Sequence, residues 1–283
     1  MMPVAQRSIV YDWLRHDKQF PHVWCPGCGL GIVLGSLIRA LIKSGLSKNE
    51  VVLVSGIGCS GRLPVYVDVG SVHTTHGRAL TFATGIKLAK PELTVITVMG
   101  DGDAAAIGGN HLIHAARRNV DITAIVVNNH TYGMTGGQFS PTTPMGAKAT
   151  TAVYGHIEPA FDISALVTTA GAVLVARSTV YHVSLTDRVL LQAIKKDGFS
   201  LVEVLAPCPT NFGRQNRLGS QIDMMRAFKN NAVHVERWNR MDESEKEGRF
   251  AIGCLTERQR PQYLESYKKI CETAARIRGE GKI

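Results

Sequence analysis

The sequence lacks the features that would send it to a membrane or leave it unfolded. Its unbroken apolar runs fall far short of the ~20 residues that a bilayer-spanning helix needs. Residues 1–20 interleave Arg7, Asp12, Arg15, Asp17 and Lys18 with isolated apolar residues, so they carry no apolar secretory-signal core. A cytoplasmic chain without membrane association is expected. There is no internal repeat and no low-complexity segment. The net charge is +9, but no basic run or helical stripe concentrates it, so it carries no nucleic-acid signature. An acidic protein partner, an anionic substrate or a merely basic surface accounts for it equally well. Structural disulfides are not expected either. In a cytoplasmic chain the six cysteines are kept reduced, and the motif-spaced ones become candidate metal or cluster ligands.

What is present is a globular chain of 283 residues, 45% hydrophobic and 19% charged. That is enough for one large domain, or one domain with appendages. Leu30, Val33, Leu34, Leu37 and Leu41 recur at helical spacing, which predicts a helix over 29–46. A short apolar strand follows over 51–55, then a glycine-rich turn over 56–61. Helices are expected over 79–90, stopped by Pro91, over 104–118 and over 184–196; strands over 94–99, 122–128, 172–176 and 199–205, with a loop opening at Gly100. Fully apolar strands alternating with helices imply an α/β fold, a mostly parallel sheet covered on both faces. Ligands of such sheets bind beyond the carboxyl ends of the strands. Residues 212–283 mix both charge signs and show no strand pattern. They read as a C-terminal extension packing on the 1–211 domain or on a partner.

The candidate motifs fall at those strand ends. Gly100-Asp101-Gly102-Asp103 lies between a strand and a helix. A carboxylate there is a hard oxygen ligand suited to Mg²⁺, the glycines allow close approach to phosphate oxygens, and the helix start offers free N–H groups to an anion. Between Gly102 and Asn128-Asn129 lie 25 residues, filled by one helix and one strand, which brings Asn129 back beside Asp101. The competing reading is an Asp-Gly turn and an unrelated polar strand end. The spacing resembles the thiamine diphosphate fingerprint, Gly-Asp-Gly followed at that distance by Asn-Asn. That resemblance implies Asp101 and Asn129 as side-chain ligands of Mg²⁺ and Thr131 as a carbonyl ligand.

Cys25-Pro26-Gly27-Cys28-Gly29 is a CxxC motif just before a helix. By itself it fits a redox dithiol, half a zinc site or half a cluster site. Cys59 and Cys208 stand alone and far apart at predicted strand ends, and four thiolates gathered there can hold a [4Fe–4S] cluster. Cys254 and Cys271 receive no role.

Together these motifs, with Gly56-Ile57-Gly58-Cys59-Ser60-Gly61, His73-Thr74-Thr75-His76-Gly77-Arg78 and Thr131-Tyr132-Gly133-Met134-Thr135-Gly136-Gly137-Gln138, closely resemble the β subunit of 2-oxoacid:ferredoxin oxidoreductases. The resemblance covers residues 20–215, and the two-subunit type that includes 2-oxoglutarate:ferredoxin oxidoreductase matches best. It implies a thiamine diphosphate-binding fold, oxidative decarboxylation of a 2-oxoacid (2-oxoglutarate favoured) to an acyl-CoA, and electrons passed through the cluster to ferredoxin. It implies thiamine diphosphate, Mg²⁺ and the cluster as cofactors, and coenzyme A as co-substrate. It further implies an α subunit supplying the aminopyrimidine half of the site, in an (αβ)₂ assembly. Ile57, Gly58, Cys59 and Ser60 would face the cofactor, with Cys59 between cluster and thiamine. His76 would reach the diphosphate, and Thr131, Gly133, Met134 and Thr135 would lie along it. Arg62 is a candidate partner for a substrate carboxylate. Asp103 binds the diphosphate loop or caps the helix after it. His73 reads as a loop stabiliser, and His111 and His114, three apart on a helix, as packing or surface residues. A pyruvate or branched-chain 2-oxoacid enzyme, a cluster-free thiamine-dependent decarboxylase or carboligase, and a zinc-binding scaffold are the rival readings.

Overall fold

The computed structural model describes residues 9–18 and 20–279; expectations resting on residues 1–8, on position 19 and on 280–283 lie outside the described residues. The first half of the chain alternates as the apolar pattern requires. It forms α1 (Leu30–Ser44), β1 (Val51–Ser55), β2 (Gly70–His73), α2 (Ala79–Ala89), β3 (Thr94–Gly100), α3 (Gly109–Arg118) and β4 (Thr123–Asn128). A small hairpin follows, β5 (Thr131–Tyr132) with β6 (Gln138–Phe139), then α4 (Ile163–Ala170), β7 (Leu174–Thr179), α5 (Val183–Lys195) and β8 (Ser200–Leu205). The remainder holds α6 (Gln221–Asn231), β9 (Ala232–His234), α7 (Val235–Trp238), α8 (Glu243–Lys246), β10 (Phe250–Glu257) and α9 (Tyr263–Gly279).

Among the described residues, eight strands make one sheet in the order β2-β1-β3-β4-β8-β7-β10-β9. All its pairings are parallel except β10 on β7. Successive strand residues point to opposite faces, and the apolar residues divide accordingly. Ile96, Val98, Ile125, Val127, Val202 and Val204 face a core completed by α1 and α5. Val95, Met99, Ala124, Val126 and Leu201 face a second core completed by α2, α3 and α4. This is why the central strands read as continuous apolar runs rather than as alternation. Helix α1 buries Leu30, Val33, Leu34, Leu37, Ile38 and Leu41 on one stripe and ends at Gly45 in a left-handed cap. Arg39 joins it to α5 through two bonds to the Asp187 carboxylate, 2.7 and 2.8 Å.

Two expectations are corrected. The 212–283 segment, read as strand-free, contributes β9 and β10 to the main sheet. The antiparallel pairing of β10 to β7 sets Gly253 opposite Arg177 and Cys254 opposite Ala176, with a register irregularity before Thr256. Gly253 at φ +111° interrupts the apolar run, and a glycine inside such a run marks a bulge as readily as a strand end. At Gly100 the chain opens no loop. Strand β3 runs through Gly100, and residues Asp103–Ile107 form a wide π-type turn before α3 begins at Gly109. Such turns concentrate at functional sites.

The parallel order sets Ser55, Gly100, Asn128 and Leu205 at one edge of the sheet. Among the described residues no helix is long and apolar enough to cross a membrane. Because Ile125 is fully buried in the central strand β4, Ile125→Ala should cost about 2–5 kcal/mol by cavity formation. The chemical-denaturation midpoint measures it, and an unchanged midpoint would show that the two cores repack freely.

Candidate active site

Two cavities lie side by side beyond that edge. The smaller, about 240 Å³, is walled by the turn after β1, the β3–α3 turn and the hairpin after β4. Every residue expected to face thiamine diphosphate or Mg²⁺ lines it: Ile57, Gly58, Cys59 and Ser60, then His76, then Gly100, Asp101, Gly102 and Asp103, then Asn129, Thr131, Gly133, Met134 and Thr135. Tyr132, which lies within the resembling segment but is assigned no role there, completes the wall. Its hydroxyl donates to the Gly102 carbonyl at 3.3 Å, and burial, followed by the nearby Asp101 and Asp103, pushes its pKa up.

Asp101 is buried. Its Oδ2 accepts from Ser140 Oγ at 2.5 Å and from Thr142 Oγ1 at 2.6 Å. Its Oδ1 faces the Asn129 carboxamide and, beyond it, the Thr131 carbonyl. The amide oxygen of Asn129 points at both acceptors; turned over, its nitrogen would donate to them at 3.2 and 2.7 Å. Three oxygen-bearing groups from two strand ends thus converge. Burial holds the Asp101 pKa above the ordinary carboxylate value, against the lowering effect of the two hydroxyls.

Asp103 is also buried, and burial raises its pKa against the Gly77 N–H and the neighbouring His76. Its Oδ1 accepts from Gly77 N at 2.7 Å and from Ile57 N at 3.4 Å, while Oδ2 is buried without a partner. His76 Nδ1 stands 2.7 Å from Oδ1 without the alignment of a hydrogen bond. Asp103 therefore ties the β1 turn to the His76 loop rather than capping a helix. Gly136 and Gly137 turn the β5–β6 hairpin, which Thr135 and Gln138 close with bonds of 2.6 and 3.0 Å.

The larger cavity, about 500 Å³, is lined by Cys25, Cys28, Cys59 and Cys208 with Trp24, Tyr66 and Arg62. Cys59, Asn129, Gly133 and Met134 line both cavities. The CxxC turn bonds Cys28 N to Cys25 O at 3.2 Å. Gly29, at φ +79°, starts α1 where any Cβ would lie 2.7 Å from Val180, so only glycine fits. Trp24 Nε1 donates to the Cys59 carbonyl at 2.7 Å, joining the two cysteine loops. Burial, then the proximity of Cys208, Cys28 and Cys25, pushes the Cys59 thiol up to about 11, and burial likewise raises Cys28. Arg62 is exposed and lies on this cavity, not on the smaller one. His73 lines neither cavity; its Nδ1 is 2.9 Å from Ser55 Oγ. His111 and His114 lie apart, between α2 and α3 with Arg118.

With this geometry stands a clear kinship. Residues 27–204 match the family model of the thiamine pyrophosphate enzymes, C-terminal TPP binding domain. The chain is 48% identical to the 2-oxoglutarate synthase subunit KorB of Methanothermobacter marburgensis, over 94% of this chain and 93% of that relative. It is 45% identical to the subunit of the same name from Methanocaldococcus jannaschii, over 92% and 96%. A solved structure, 2-oxoglutarate:ferredoxin oxidoreductase from Magnetococcus marinus with 2-oxoglutarate, coenzyme A and succinyl-CoA bound, superposes with a TM-score of 0.83 at 30% identity, covering 95% of this chain and 92% of that one. The chain belongs to the thiamine pyrophosphate enzymes and, within them, to the KorB-type β subunits of the 2-oxoacid:ferredoxin oxidoreductases.

A Cβ at Gly56 would lie 1.9 Å from Asp103 Oδ2. Gly56→Ala should therefore displace Asp103 and destabilise the protein by about 1–3 kcal/mol through overpacking. Thermal and denaturant unfolding of the variant measure this, and an unperturbed protein would show that the Asp103 loop yields without cost.

Proposed function

We propose that the chain holds the diphosphate end of thiamine diphosphate through Mg²⁺, carries one [4Fe–4S] cluster, and serves the reversible conversion of 2-oxoglutarate and coenzyme A to succinyl-CoA and CO₂ with ferredoxin as electron partner. The observation that carries this reading is the shared wall. Cys59 lines both the cavity of converging oxygens and the cavity of four thiols.

The donor sets fit both groups. Asp101 Oδ1, the Asn129 amide oxygen and the Thr131 carbonyl are hard oxygens of the kind Mg²⁺ selects. A cation between them makes the oxygen-inward amide the favourable orientation and lets the buried Asp101 ionise. The Cys59 and Cys28 thiols, raised by burial and by their cysteine neighbours, would likewise be stabilised as thiolates by a cationic cluster. A single zinc ion would draw its sulfurs to about 2.3 Å of one point. A cluster takes its four thiolates around a larger volume.

Bound thiamine diphosphate would supply the electron sink for decarboxylation, and the cluster a one-electron acceptor. This chain's own contribution is positioning. Asp101, Asn129 and Thr131 hold the metal, Asp103 fixes the loops around the diphosphate, and His76 donates to it. Arg62, exposed on the thiol cavity, would pair with a substrate carboxylate.

The thiamine site is completed by an α subunit contributing the aminopyrimidine half, in an (αβ)₂ assembly. The segment following Thr142 supports such docking, since it exposes Met145, Val153, Tyr154 and Ile157, with Tyr154 wholly exposed. The +9 charge suits an acidic electron carrier.

Low-temperature EPR on the anaerobically purified complex tests the whole reading. A reduced-cluster signal that requires both 2-oxoglutarate and coenzyme A is expected. A signal inducible by dithionite alone would move the substrate to another 2-oxoacid, and iron-free protein would overturn the cluster assignment.

The metal site carries its own pH signature. Below its raised pKa, Asp101 holds a proton that Mg²⁺ must displace. Apparent Mg²⁺ affinity in the presence of thiamine diphosphate should therefore fall as pH drops through that value, beginning above the ordinary 3.8 of a free aspartate. Calorimetric titration across pH measures it, with Asp101→Asn, which has no proton to displace, expected to show weak and flat binding.

A further inference from the structure

A charged side chain in the middle of a central strand is costly unless it is paired and serves a purpose. Glu203, on β8, is 2% exposed, and all of its partners are named groups. Its Oε1 accepts from Asn128 Nδ2 at 2.8 Å. Its Oε2 accepts from Ser164 Oγ at 2.6 Å and from Arg177 Nε at 2.8 Å. Arg177 is held in turn by Asp162 at 2.7 Å.

The bond to Asn128 fixes which way that amide faces. Its oxygen then accepts from His130 N at 3.1 Å and lies 3.0 Å from Thr142 Oγ1, the same hydroxyl that bonds Asp101. His130 sits at φ +60°, a conformation that non-glycine residues adopt rarely and at a cost. Thr143 Oγ1 donates to the His130 carbonyl at 2.7 Å, and His130 Nδ1 lies 2.8 Å from the Thr142 carbonyl. This left-handed turn falls between Asn129 and Thr131, two of the three groups assigned to the metal.

We propose that Glu203 is a positioning residue for the metal site: by locking the Asn128 amide it imposes the left-handed turn at His130 that aims the Asn129 oxygen and the Thr131 carbonyl, and it steadies Thr142 against Asp101. The inference rests on the metal reading above. It assigns Glu203 no contact with metal, cofactor or substrate.

The test uses the co-purified complex freed of Mg²⁺ and thiamine diphosphate with its cluster retained, and Mn²⁺ as the probe. Mn²⁺ binding in the presence of saturating thiamine diphosphate is followed by the loss of its free-ion EPR signal. Glu203→Gln should weaken Mn²⁺ binding by about 10–100-fold, the range for loss of a group that orients a metal ligand, while the cluster signal stays unchanged. Glu203→Asp, which keeps the charge beside Arg177 but is too short to hold Asn128 in place, should show the same direction of loss if Glu203→Gln does not fold. Ser164→Ala, which removes a Glu203 partner without touching Asn128, should bind Mn²⁺ nearly as the parent does. Folded Glu203 variants that bind Mn²⁺ like the parent would overturn the proposal and leave Glu203 a structural ion-pair partner. Failure of the parent complex to bind Mn²⁺ with thiamine diphosphate would instead overturn the metal reading itself.

Discussion

A carboxylate buried at the end of a buried strand is the constraint around which the site is arranged. Asp101 has left water at the tip of β3, and two hydroxyls on one oxygen do not restore its ordinary acidity. Desolvating a carboxylate costs several kcal/mol after relaxation, and on the proposed reading a cation opposite its other oxygen offsets that cost. The parallel sheet brings the remaining donors to that point. Strand β4 ends beside β3, and the turn after it delivers Asn129 and Thr131 to the face of Asp101 that the hydroxyls leave open.

The same edge explains why two chemically different sites share a wall. Four parallel strands release their chains at one level of the sheet, and Cys59 and Cys208 come from the first and last of them. The CxxC pair arrives from a different direction, on the loop before α1, and is tied in by the Trp24 bond to the Cys59 carbonyl. On the proposed reading, Cys59 needs both placements at once. A thiolate that ligates a cluster while facing the cofactor leaves the shortest path for single electrons.

The architecture was legible because its signal was strong. Fully apolar strands of five to seven residues, separated by helices, admit few folds other than a covered parallel sheet, and β1 begins and ends where the pattern placed it. The thiols and the Asp101–Asn129 pair could be singled out in the sequence by residue type and spacing, and the structure brings each set to one cavity. The strands β9 and β10 were not, because mixed charges surround them and Gly253 breaks the longer one. Ser140 and Thr142 were missed for a different reason. Each acts by donating a hydrogen bond to Asp101, distant in sequence, and an isolated hydroxyl has no spacing to betray it.

Glu203 lies between these cases. A glutamate inside Leu201-Val202-Glu203-Val204-Leu205 is visibly out of place in a strand read as fully buried, yet the sequence does not say what would accept it there. The structure supplies the answer on both sides of the strand's hydrogen-bond ladder. Arg177 on β7 neutralises it and Asn128 on β4 uses it; the register sets Arg177 directly opposite Glu203 and Asn128 two residues further along the neighbouring strand. A polar residue that breaks a buried pattern is therefore informative in a definite way. It marks the strand whose neighbours carry the site, and here those neighbours run from a surface aspartate, Asp162, through the sheet to the buried Asp101.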